Sequence, residues 1–168
     1  MSKQHLIDTL FTALARGEEQ LYSNATLLSN FSRSVQIDQY SCGAKSTYMV
    51  LKYFGKRCTH ESVERQLGTT IEGTSRKDIK RVLKEYGLNI QVNSNMGIRD
   101  LKSAIKTGSP VIVSLYSNCH YSVVYGFSDT QIFVMNPSLG EMGSIKITVR
   151  KSEWREIFDR WGVVVSKK

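Results

Sequence analysis

The spacing of apolar residues changes character near residue 110. Before it, apolar positions recur three and four residues apart. Leu6, Ile7, Leu10, Phe11 and Leu14 predict an amphipathic helix over residues 5–16 that stops near Gly17, and the polar stretch Ser23–Ser34 reads as a linker. Cys42–Phe54 is apolar on most sides and is followed by Gly55, which predicts a buried central helix. Thr59–Leu67, Ser75–Tyr86 and Ile98–Lys106 are further predicted helices; the second carries Ile79, Val82, Leu83 and Tyr86 on one face and stops at Gly87. After residue 110 the pattern shortens to runs rich in β-branched and aromatic residues. Pro110–Leu115, Tyr121–Phe127, Gln131–Met135 and Ser144–Val149 read as strands, Ser128–Thr130 as a hairpin turn, Ser152–Phe158 as a helix and Gly162–Val165 as a last strand. Helices first and strands later predict an α+β fold, a helical half packed on a mostly antiparallel sheet.

The chain has 168 residues, enough for one core, and the pattern divides it into an N-terminal helix and linker (1–33) and a folded domain (34–168). Its formal charge is +8. Much of this sits on Arg76, Lys77, Lys80, Arg81 and Lys84, opposite the apolar stripe of one predicted helix, where a solvated face is expected. No aromatic interleaving or nucleic-acid motif accompanies it, so an acidic substrate or partner surface is expected ahead of nucleic acid. No run approaches the roughly 18 apolar residues of a membrane span, and no cleavable signal is recognisable, which makes the cytoplasm the expected location. Export as an effector by a route without a cleaved signal is the alternative. Three cysteines without a C-x-x-C pair make neither a disulfide framework nor a zinc site; Cys58 with His60 and Cys119 with His120 come nearest, and no metal or cofactor is expected.

Candidate chemistry centres on Cys42, where the loop Gln36–Ser41 meets the first turn of the buried helix. The positive end of a helix favours a thiolate, and Gly43 leaves room for a substrate backbone, although Cys42 alone reads equally well as a buried structural cysteine. His120 begins one strand and Asn136 ends the next. A hairpin centred on residue 128 would set 120 opposite 136, since the two numbers sum to twice 128. A thiol in reach of an imidazole oriented by an amide is the Cys–His–Asn arrangement of a thiol hydrolase. His60 is expected to be solvated on a surface helix and His5 lies at the terminus. Strand alternation is expected to turn Cys119 away from the site, and Cys58 is expected to be structural.

The segment QIDQYSCGAKSTYMVLKYFG, beginning at Gln36, resembles the catalytic opening of the bacteriocin-processing (double-glycine leader) peptidases, a papain-like cysteine peptidase family. CHYSVVYGF resembles that family's His-bearing strand, FVMNPSLG its turn with the third catalytic residue, and KSEWREIFDRWGVVV its C-terminal helix and strand, so that the similarity covers about residues 34–166. The resemblance implies a papain-like fold with Cys42 as nucleophile, His120 as general base, Asn136 as orienting residue and Gln36 as an oxyanion-hole donor. Three departures stand out: Asn136 replaces the family's usual Asp, Lys45 stands where a small or apolar residue is commoner, and Gln39 competes with Gln36 for the oxyanion-hole position, although its shorter spacing to Cys42 fits less well. The expected activity is cleavage of a peptide amide in a peptide or protein substrate through an acyl-enzyme. Deamidation of a protein glutamine or acyl transfer on the same triad is the alternative, and a non-catalytic peptide-binding module is the competing class.

Overall fold

The computed structural model describes residues 24–138 and 147–168. The predicted helix over residues 5–16 and the first residues of the strand predicted at Ser144–Val149 lie outside them. In chain order the elements are β1 (Thr26–Leu27), α1 (Cys42–Tyr53), α2 (His60–Leu67), α3 (Arg76–Glu85), β2 (Leu88–Asn93), α4 (Ile98–Lys106), β3 (Val111–Leu115), β4 (His120–Phe127), β5 (Gln131–Met135), β6 (Ile147–Arg150), α5 (Lys151–Ile157) and β7 (Phe158–Lys167). This is the expected α+β arrangement, helices packed on a sheet whose strands run in the order β2-β7-β3-β4-β5-β6, with β1 beside β4. Every described strand pair is antiparallel. No helix among the described residues is long and apolar enough to cross a membrane.

Local chemistry accounts for the helix starts. Thr59 caps α2 by accepting the Ser62 N–H, Ser75 caps α3 by accepting the Asp78 N–H, and the Asp100 carboxylate takes the Gly97 N–H before α4. α1 differs: its N-cap, Ser41, makes no side-chain capping bond. Its apolar character is instead met by burial, with Ala44, Met49, Val50 and Leu51 in the core. β3 is buried along its whole length, and so is β4 from Ser122 onward, because α1 and α4 both pack on the middle of the sheet.

Three elements differ from the pattern reading. The segment read as a linker is part of the fold: β1 pairs Thr26 with Phe127, and Leu28 and Phe31 are each only 7% exposed. β1 can lie there because Gly126 has no side chain; a Cβ at that position would stand 2.9 Å from the Thr26 carbonyl. β2 has no counterpart among the predicted strands. LNIQVN alternates as a strand should, but it is short and bounded by turn-forming residues, and it becomes a strand through six partners on β7, from Leu88↔Lys167 to Asn93↔Gly162. β7 accordingly runs well beyond the predicted Gly162–Val165, since it pairs with β2 on one side and β3 on the other.

Leu83 is fully buried on the inner face of α3. Leu83→Ala is expected to destabilise the chain by about 2–5 kcal/mol, read as a lower denaturant midpoint with an unchanged slope.

Candidate active site

The loop before α1 is folded around one carboxylate. Asp38 Oδ1 accepts the Tyr40 N–H at 2.8 Å and the Ser41 N–H at 2.7 Å. Burial would raise the pKa of this carboxyl, but these N–H groups outweigh it and hold it below the usual carboxylate value. Asp38 thus serves the backbone one turn ahead of α1, and no side chain caps the N–H groups of the first turn itself. The buried Cys42 thiol uses them. Burial is the largest influence on it and raises its pKa above the ordinary thiol value; the N–H groups of Tyr121, Gly43 and Cys42 itself pull it down, and the Asp38 carboxylate adds to the rise. Desolvation thus outweighs these N–H groups, and the thiol is raised where a helix start was expected to lower it.

Contact with Tyr121 places Cys42 against the start of β4, one peptide bond from His120. Gly43 makes the approach feasible. A Cβ there would lie 2.7 Å from Thr74 Cβ and 3.1 Å from the Tyr121 ring, so the space foreseen for a substrate backbone is taken by the protein's own side chains.

His120 and Asn136 are brought together, though not through the simple hairpin register. β4 and β5 pair Val123↔Met135, then shift at a bulge to Gly126↔Phe133. The turn centre therefore lies nearer residue 129 than 128, which sets Asn136 abreast of Ser122 and diagonal to His120. The bond closes all the same: His120 Nε2 lies 2.7 Å from Asn136 Oδ1, and the Ser138 N–H donates to that same Oδ1 at 2.9 Å. An atom that receives a backbone N–H is the amide oxygen, so Nε2 is the donor and carries the proton. The turn is held from outside by Arg33, whose Nε donates to the Asn136 carbonyl at 2.6 Å and whose guanidinium also donates to the Ser138 carbonyl at 2.7 Å. The Gln36 N–H donates to the Pro137 carbonyl at 2.8 Å, tying the segment before α1 to the same turn. The side chain of Gln36 is buried and donates one N–H to the Asp38 carbonyl at 2.7 Å, while its Oε1 is enclosed without a hydrogen-bond partner.

A small cleft of about 130 Å³ opens on Cys42, lined by Gln39, Tyr40, the turn Ile71–Thr74, and Asn118, Cys119 and Tyr121, so that Gln39 and not Gln36 stands on its wall. Three expectations are corrected here. Cys119 is exposed and lines this cleft, because it belongs to the turn before β4 and not to the strand whose alternation would have turned it away. His60 is partly enclosed, edge-on to the Tyr48 ring at 5.9 Å and 3.6 Å from the Glu64 carboxylate. Burial and Lys45 lower its pKa, because the first turn of α2 packs on α1. Arg76 likewise leaves the solvated face expected for α3: its guanidinium stacks 4.5 Å over the Trp161 ring and donates to the Asn118 side chain. Cys58 packs partly buried against the core. Among the described residues no group of His, Cys, Asp and Glu could hold a metal ion. Arg33, Asp38 and Asp159, which organise the site, were not singled out from the sequence. For Asp38 the polar run ahead of an apolar helix was a usable signal; for the other two the partners lie more than 40 residues away.

Residues 30–168 match the peptidase C39 family. A lactococcin transport/processing ATP-binding protein (LcnC-like) of Lactococcus lactis subsp. lactis strain IL1403 is 31% identical over 127 residues, which cover 73% of this chain and 17% of that protein. The chain thus spans about a sixth of that relative's length. Among solved structures, the peptidase domain of Streptococcus ComA, a bifunctional ABC transporter involved in quorum sensing, aligns with TM-score 0.71 at 18% identity over 83% of this chain and all of the domain. A double-glycine-motif protease from an AMS/PCAT transporter, solved with its leader peptide, aligns with TM-score 0.67 at 18% identity over 84% of this chain and 98% of its own. These likenesses establish the fold as that of the papain-like C39 peptidase domains.

Gly43→Ala is expected to push α1 away from Thr74, lower stability by about 1–3 kcal/mol and slow alkylation of Cys42. Thr74→Gly in the same chain removes the two closest atoms and is expected to restore part of both, measured by thermal melting and by mass mapping of the alkylated thiol.

Proposed function

The chain belongs to the peptidase C39 family and is a cysteine peptidase, and on that premise we propose that it cleaves a peptide bond with Cys42 as nucleophile, His120 as acid and base, Asn136 as the group that orients the imidazole, and Gln36 as an oxyanion donor. The observation that carries this reading is the double acceptance at Asn136 Oδ1, which puts the imidazole proton on Nε2 and leaves Nδ1 as the basic nitrogen. Nδ1 takes the thiol proton, and the sulfur attacks the scissile carbonyl, whose π electrons move onto oxygen. In this scheme the second amide N–H of Gln36 and the N–H of Cys42 are assigned to that oxyanion; one such donor is worth about 3–4 kcal/mol. Collapse breaks the C–N bond while the imidazolium returns its proton to the leaving amine, and water then releases the acyl group from sulfur by the same sequence.

Burial that raises the thiol pKa fits this scheme, because it disfavours a lone thiolate and leaves the proposed imidazolium to stabilise the charged sulfur. Asn136 in place of a carboxylate orients the ring without adding charge, so attraction within the pair and the N–H groups of α1 must stabilise the charged form. The narrow cleft favours small residues next to the scissile bond. Exposed Ile71 on its rim (80% exposed) and Ile37 between Gln36 and Asp38 (88% exposed) offer apolar contacts to the flanking chain. A segment ending in paired glycines meets the first requirement, and the double-glycine-motif protease that resembles this chain was solved in complex with its leader peptide.

Incubation of the protein with a synthetic leader peptide ending in Gly-Gly is expected to release a fragment after the second glycine, seen by intact mass, and Cys42→Ala is expected to abolish it. A Cys42-dependent gain of about one dalton without cleavage would instead identify a deamidase on the same machinery. His120→Ala is expected to lower kcat/KM by about 10²–10⁴-fold. Asn136→Asp is expected to stabilise the imidazolium and move the alkaline limb of the rate profile to higher pH, whereas an unmoved limb would separate residue 136 from the imidazole.

A further inference from the structure

We propose that Asp159, at the start of β7, is the positioning residue for His120. The turn joining β3 to β4 carries Tyr116, Ser117 and Asn118 at φ 54°, 59° and 68°, three successive left-handed residues, none of them glycine. Such a run persists only where its surroundings over-determine it. Its Ser117 and Asn118 N–H groups converge on the Asp159 carboxylate: Oδ1 accepts Ser117 N–H at 2.7 Å, and Oδ2 accepts both Asn118 N–H and the Ser114 hydroxyl at 2.7 Å. Successive N–H groups in such a conformation form a concavity suited to an anion, here supplied by the protein itself. The Tyr116 N–H donates to the Ile157 carbonyl at 2.9 Å, so the turn is fastened to the α5–β7 junction at both its beginning and its middle. From the other side, Arg76 stacks on Trp161 and donates to the Asn118 side chain.

The residues that follow this turn are Cys119, which lines the cleft, and His120, which pairs with Leu115 as the first rung of β4. Fixing Ser117 and Asn118 therefore fixes the direction in which the chain enters β4, and with it the place of the imidazole relative to Cys42. Asp159 touches no reacting atom in this scheme. It acts through the backbone, as Arg33 does on the turn that carries Asn136. The inference rests on the pairing of His120 with Cys42 proposed above.

The test is the pH dependence of Cys42 alkylation by iodoacetamide, read by peptide mass mapping so that Cys58 and Cys119 are counted separately, in wild type, His120→Ala, Asp159→Ala and Asp159→Asn. Asp159→Ala is expected to stay folded by far-UV circular dichroism, to slow Cys42 at neutral pH by about 10–100-fold, and to move its profile toward that of His120→Ala. Asp159→Asn keeps the shape and one acceptor and is expected to fall between the alanine variant and wild type. With a cleaved peptide in hand, the loss is expected in kcat with KM little changed. A folded Asp159→Ala with the wild-type profile, beside a slowed His120→Ala, overturns the role of Asp159 and leaves the triad standing. An unchanged His120→Ala profile overturns the triad and this inference with it. Should Asp159→Ala fail to fold, Asp159→Asn decides: a wild-type profile in the folded amide variant overturns the proposal.

Discussion

The site depends on how closely the first turn of α1 can approach the first residues of β4. That distance is set by an absence, the missing side chain at Gly43, with Thr74 and the Tyr121 ring filling the space that a Cβ would occupy. Because the two backbones meet there, the Cys42 sulfur comes under the Tyr121 N–H, and a residue on a helix and a residue on a strand become parts of one site. The same closeness buries the thiol and raises the cost of ionising it. Packing and chemistry are in tension at this point, and in the mechanism proposed above a proton acceptor on β4 relieves it by charging together with the thiol.

The two polar side chains on the sheet side, His120 at the start of β4 and Asn136 just after β5, each adjoin a turn. Each turn is bound by a charged side chain from a distant part of the chain: Arg33 gathers the carbonyls of Asn136 and Ser138, and Asp159 gathers the N–H groups of Ser117 and Asn118. The pairing is complementary in sign, a cation on backbone carbonyls and an anion on backbone N–H groups. Hydrogen bonds to charged groups are among the stronger ones a protein makes, and placing them at connections leaves the strands to the sheet ladder. The segment before α1 does double duty, since Asp38 organises the entry to the helix while the Gln36 backbone joins the Asn136 turn.

Local pattern was enough for most elements. Glycine stops after α1 and α3, the helical spacing of apolar residues, and β-branched runs after residue 110 located them to within a few residues, because each reflects an interaction within one or two turns of chain. β2 and the extent of β7 escaped, because strands become strands by pairing and their partners lie more than 60 residues apart. Cys119 and Arg76 were misplaced for a related reason. Alternation holds only inside a strand, and a basic residue at a helix start can turn inward when an aromatic ring and a loop amide wait there.

By itself the sequence determined the fold class, the family resemblance and the identities of the candidate nucleophile, base and orienting amide, since each sits at a recognisable helix start or strand end. Tertiary structure alone decided the bulged register that makes the His120–Asn136 bond diagonal, the net rise in the Cys42 pKa, and the recruitment of Arg33 and Asp159. These depend on burial and on contacts between residues more than ten positions apart. Desolvation and long-range contact are properties of the folded surface and not of any window of sequence.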